Sequence, residues 1–104
     1  MISITAHGKE RMMERCKIKA RSTDRIAQIA FEKGLTHAET TGSLHKYADS
    51  LYLYNRQANN IRLYGGKIYI FCNDVLVTVY DIPKHYLPIV NKLMRRRTTG
   101  EITK

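Results

Sequence analysis

Apolar residues recur at helical spacing through the first half of this chain and alternate with polar ones through most of the second. The first periodic stretch is residues 6–16, AHGKERMMERC. Met12, Met13 and Cys16 share one side of a helix there, while His7, Arg11 and Arg15 recur every four residues on another. Thr5 is the expected N-cap, since its hydroxyl accepts a first-turn amide, and Gly8 weakens that turn. Just before it, Ile2 and Ile4 alternate with Ser3 and Thr5, a pattern that admits a short leading strand. A second helix is capped at Ser22 or Thr23, carries Asp24 in its first turn and buries Ile26, Ile29, Ala30 and Phe31; Gly34 stops it.

Residues 35–43 are polar and turn-rich. From Leu44, the series Leu44, Tyr47, Ala48, Leu51, Tyr54 and Ala58 fits a third helix, with a strand through 51–54 as the competing reading. Residues 60–64, 67–72 and 75–80 then read as three strands. Gly65-Gly66 supplies the positive φ angles of a two-residue turn, and Asn73-Asp74 tolerates them. Strict alternation would put Ile61, Leu63, Ile68, Ile70, Leu76 and Thr78 on one face. Pro83 ends the sheet, and a basic helix starts near Pro88 and runs into Arg95, Arg96 and Arg97. The fold class is therefore α+β: N-terminal helices, a three-stranded antiparallel β-meander and a C-terminal basic helix. A chain of 104 residues is one domain, 1–104, with its core over about 4–94 and a basic tail at 95–104.

Composition narrows the class. At 43% hydrophobic and 26% charged residues the chain has an ordinary globular balance, with no apolar run long enough for a membrane span and no signal peptide. Cys16 and Cys72 lack CxxC spacing, so neither a disulfide framework nor a structural zinc site is read from them, and a cytoplasmic protein with reduced thiols is expected. No cofactor motif or metal-ligand cluster is visible. Eighteen Lys and Arg stand against nine Asp and Glu, a net charge of +9. Residues 1–34 hold eight basic and four acidic groups, and residues 84–104 six and one, around a neutral middle. Such ends attract polyanions, so RNA, DNA or an acidic protein surface are the natural partners; Arg15, Lys92, Arg95, Arg96 and Arg97 are the expected phosphate contacts. The tyrosines Tyr52, Tyr54, Tyr64, Tyr69 and Tyr80 offer rings for bases or for a core.

Three segments carry a family resemblance. Residues Ile4, Thr5, Ala6 and His7, then Glu10, Arg11 and Met12, then Glu14 and Arg15 resemble the "T-x-H-A…E-R-M…E-R" signature of small bacterial and phage proteins related to RelE/ParE-type toxins. These belong to the wider barnase–EndoU–colicin–RelE nuclease superfold. Residues 58–71, ANNIRLYGGKIYIF, look like a form found in phage-borne members, and residues 76–80, LVTVY, resemble their final strand. The resemblance spans about residues 4–82. It implies a helix-plus-sheet fold and, in the active branches, metal-independent endoribonuclease activity, with an acidic antitoxin or a host protein as partner.

Such cleavage needs a proton-transferring group and cations around the phosphate. The matching position for the base or acid is His7, with Arg11 beside it. Arg62 on the first meander strand and Thr78 and Tyr80 on the last are the sheet's candidates. His37, His45 and His85 have no partner at useful spacing and are read as non-catalytic. Two other functions fit the same charges: non-catalytic nucleic-acid binding, and a mobile-element inhibitor that docks on a protein.

Overall fold

A computed structural model describes residues 2–98 of the chain. Its first helix, α1 (Ala6–Cys16), follows a two-residue strand, β1 (Ser3–Ile4). The Thr5 hydroxyl accepts the Gly8 amide at 2.9 Å, as a cap should. Gly8 does more than open the helix. A Cβ there would stand 2.7 Å from the Leu76 carbonyl oxygen, so the missing side chain lets α1 lie directly on the sheet. Met12, one turn on, is fully buried; Met13, expected beside it, is 41% exposed.

Helix α2 (Thr23–Lys33) ends at Gly34 as expected. Its start differs in detail: Ser22 makes no side-chain cap, and the Thr23 hydroxyl instead donates to the Ala20 carbonyl at 2.8 Å. Two residues, β2 (Leu35–Thr36), then lead through a 3-10 turn, His37–Glu39, into α3 (Gly42–Tyr54). The helical reading of 51–54 thus holds over the strand. Leu44, Ala48 and Leu51 are its buried stripe, whereas Tyr54 is 82% exposed and Ala58 lies beyond the helix.

Strands β3 (Asn60–Tyr64), β4 (Lys67–Cys72) and β5 (Val75–Asp81) form the expected antiparallel meander. Both predicted turns are present, with φ of 56° and 80° at Gly65 and Gly66 and 56° at Asn73. The sheet itself is larger than the predicted three strands. It has five, in the order β1-β5-β4-β3-β2, with β1 parallel to β5 and β2 antiparallel to β3. The fold is α+β, with four α-helices and a mixed sheet among the described residues. The alternation of residues 2–5 predicts β1 but not its parallel pairing with β5. Strand β2, inserted between α2 and α3, departs from the predicted order because a two-residue strand of Leu35 and Thr36 shows no alternation to read.

One irregularity changes the sides of the sheet. Between β4 and β5 the register shifts, so that Ile70 faces Thr78 but Phe71 faces Leu76, leaving Val77 as an extra residue. Leu76 consequently points away from Ile61, Leu63, Ile68 and Ile70, contrary to strict alternation. It packs with Met12, Ala27, Ala30, Tyr69, Phe71 and Val79 under α1 and α2. The other face, with Ile61, Leu63, Ile68 and Ile70, is covered by α3 and by the last helix, α4 (Leu87–Thr98), through Leu44, Leu51, Val90 and Leu93. Helices thus cover both faces of the sheet. No helix among the described residues is long and apolar enough to cross a membrane. Of the expected tail, Arg95, Arg96 and Arg97 belong to α4, and residues 99–104 lie outside the described residues.

Candidate functional site

With Gly8 and Met12 against the sheet, α1 leaves His7 exposed and Arg11 and Arg15 half-buried. Arg11 reaches Glu14 at 2.5 Å. Arg15 lies 3.7 Å from Asp81, whose other oxygen takes the Lys67 ammonium at 2.6 Å; the Arg15 Nε is buried with no hydrogen-bond partner. The Lys67 hydrogen bond, together with the charges of Arg15 and Lys17, holds the Asp81 carboxyl below the usual carboxylate range. Beyond α1 the charge continues. Cys16 and Ile18 turn into the core, while Lys17 between them and Lys19 and Arg21 after them are exposed, and Arg25 is exposed on α2. Residues 15–25 therefore carry five cations against one acid, Asp24. Sequence reasoning passed over Lys19, Arg21 and Arg25, although Arg15, Lys17 and Lys19 alternate with the inward Cys16 and Ile18.

The remaining nuclease candidates do not gather around His7. Thr78 is buried opposite Ile70, and Tyr80 opposite Ile68 packs on the core under α3 and α4, so the sheet separates both from α1. Arg62 is tied to the end of α2. Its Nε donates to the Phe31 carbonyl at 3.0 Å, its Nη1 donates to the Ile61 carbonyl and the Asn60 side chain, and its guanidinium lies 5.0 Å from the Phe31 ring centroid. Burial pulls its pKa below the ordinary arginine value, against the charges of Glu39 and Tyr52.

Among the expected phosphate contacts on α4, Lys92, Arg95 and Arg96 are exposed. Arg97 is spent inside the fold. It donates to the Lys33 and Gly34 carbonyls and to Glu39 at 3.1 Å. Burial opposes the Glu39 charge, but the Thr36 amide and hydroxyl and the Arg97 guanidinium outweigh it and hold the carboxyl below its ordinary value.

The histidines require a correction. His37 and His45, expected to lack partners, meet at Asp49: His37 Nε2 is 2.5 Å from one carboxylate oxygen and His45 Nε2 is 3.8 Å from the other. The two rings lie 4.3 Å apart, and Tyr52 sets its ring edgewise on His37 at 5.5 Å. Burial and the Asp49 charge push the Tyr52 phenol up, against Arg62. The spacing of His45 and Asp49, four residues apart on one helix, is readable in the sequence; the approach of His37 is not. His85 lies elsewhere, against Tyr86.

Comparison with protein-family models, with curated proteins and with solved structures finds no match to this chain.

Proposed function

We propose that this protein binds RNA through its exposed basic surface. The observation that carries this reading is the disposition of charge. Glu14, Glu39 and Asp81 are each held by arginine or lysine, whereas Lys19, Arg21, Arg25, Lys92 and Arg95 stand exposed. Phosphates attract such cations and release counterions on contact, with little dependence on base sequence. A cytoplasmic location belongs to the same proposal, and the free thiols Cys16 and Cys72 suit a reducing compartment.

The test is fluorescence anisotropy with labelled single-stranded RNA over a range of salt concentrations. Replacing Lys19, Arg21 and Arg25 by Ala is expected to lower the slope of log K against log salt by about 2, near 0.7 per lost contact. Replacing Lys92 and Arg95 by Ala is expected to lower it by about 1.4. Absence of RNA binding by the wild-type protein, or a slope unchanged in both variants, overturns the proposal.

A second reading, metal-independent endoribonuclease activity of the toxin-like kind, is favoured by the exposed imidazole of His7, about one helical turn from Arg11. Its test is incubation of RNA with the protein in EDTA. New 2′,3′-cyclic phosphate ends that disappear in His7→Ala are the expected result, with a loss of about 10²–10⁴-fold. No cleavage by the wild-type protein ends this reading and leaves the binding protein.

A further inference from the structure

His37 and His45 present the same atom, Nε2, to the same carboxylate, and the three candidate ligand atoms lie within 4.8 Å of one another. A pair of imidazoles that trade protons across a phosphate would stand on opposite sides of it. These two converge on one point, as ligands do.

Thr40 decides how His45 is offered. Its hydroxyl carries one proton, which it donates to the His37 carbonyl at 2.6 Å. The contact of 2.9 Å with His45 Nδ1 must then be an N–H donated to the Thr40 oxygen. That leaves Nε2 as the His45 ring nitrogen turned toward Asp49. Thr40 is 5% exposed, so water competes little for the bond that fixes the ring, and one hydroxyl braces the ring of one histidine and the backbone of the other. An Nδ1–H held by a fixed oxygen with Nε2 left free is the outer-shell support that ligating histidines use.

We infer that His37, His45 and Asp49 bind one divalent transition-metal ion of the zinc class, through both Nε2 atoms and an Asp49 oxygen. Two imidazoles and one carboxylate suit Zn²⁺, Co²⁺ or Ni²⁺ better than Ca²⁺ or Mg²⁺, which prefer all-oxygen shells. The side chains are 29%, 39% and 54% exposed, so an ion can enter from solvent and keep a water in the remaining position. Bonds of about 2.0–2.2 Å ask the 2.5 Å contact of His37 Nε2 with Asp49 to open by about 1 Å. This site is independent of the RNA-binding reading.

The experiment is titration of untagged, chelator-stripped protein with ZnCl2, followed by calorimetry and by NMR of the histidine ring signals. One equivalent is expected to bind and to shift the rings of His37 and His45, leaving His85 in place. His45→Ala and Asp49→Asn are expected to weaken Zn²⁺ at least about 10-fold, and Thr40→Val about 10-fold through loss of its support, with unchanged circular dichroism. His85→Ala should change nothing. Failure to bind Zn²⁺, shifts without His37 and His45, or full affinity in Asp49→Asn overturns the inference; the ring shifts in the wild-type protein decide it even where a variant fails to fold.

Discussion

Two groups of arginines on this small molecule have opposite fates. At the C-terminal end of α2, Arg62 from β3 and Arg97 from α4 converge on the carbonyls of Phe31, Lys33 and Gly34. A helix leaves its last carbonyls without partners and its negative dipole end exposed, and these guanidiniums satisfy both demands. On the outer side of α1, and in the segment that follows it, Arg11 reaches a neighbouring glutamate and Arg21 stands exposed. Side-chain type is the same in both places. What differs is whether orphaned backbone oxygens lie within reach. Net charge alone therefore overstates the cations available to a phosphate, and Arg62 and Arg97 leave that pool.

The largest expected effect tests that division. Arg97→Met keeps the reach and apolar stem but removes the hydrogen bonds to two carbonyls and to Glu39, and should destabilise the fold by about 2–3 kcal/mol. Arg62→Met should cost about 2 kcal/mol, since it frees the Phe31 carbonyl and strips a charge from the Phe31 ring. Urea denaturation measures both. A variant at Arg97 with wild-type stability and weakened RNA binding would erase the distinction between the two groups.

Legibility in the sequence follows the range of each interaction. Helices α1 and α2 and both hairpin turns were readable because capping, periodicity and positive φ are set by neighbours in sequence, as at Thr5, Gly65-Gly66 and Asn73. The leading strand β1 was marked by Ile2 and Ile4 alternating with Ser3 and Thr5. Its pairing with β5, the strand β2 and the side taken by Leu76 were not, because a distant pairing leaves no local mark, a two-residue strand has no period and a bulge at Val77 resets the alternation after it. The same rule governs the candidate sites. The stripe of His7, Arg11 and Arg15 is a local pattern and was read, whereas His37 reaches Asp49 only through the turn that folds residues 37–39 back on α3. The spending of Arg97 on α2 is a contact across more than sixty positions that no local pattern announces.

A middle-sized effect comes from Glu39, which links Arg97 to the turn before α3. Its folded pKa lies below the ordinary value of 4.5. The charge therefore stabilises the fold fully above that ordinary value, and the contribution is lost as pH falls through the lower folded value. Glu39→Gln, which keeps the shape, should cost about 1 kcal/mol at pH 7, allowing for solvent screening of a partly exposed pair. The difference between variant and wild type should shrink below about pH 4.5 and close in stronger acid. Urea titrations at pH 7, 5 and 3 give the curve; a pH-independent difference would mean that Glu39 acts through packing and not through its charge to Arg97.

The smallest effects belong to the outward arginines. Arg11 pairs with Glu14 across one turn of an exposed helix face, and such pairs rarely contribute more than a fraction of a kcal/mol. Arg95 is exposed on α4. Arg11→Ala and Arg95→Ala should each alter stability by no more than about 0.5 kcal/mol, since alanine also raises helix propensity slightly. Added salt should change the stability gap for Arg11→Ala little, because there is little ion-pair energy to screen. The salt dependence of RNA binding should instead respond at Arg95, with about 0.7 lost from the slope for the contact removed. A stability loss above about 1.5 kcal/mol at either position would place that arginine with Arg62 and Arg97 among the residues that build the fold. Small stability losses together with a reduced slope would show that the two groups of arginines divide structure from binding.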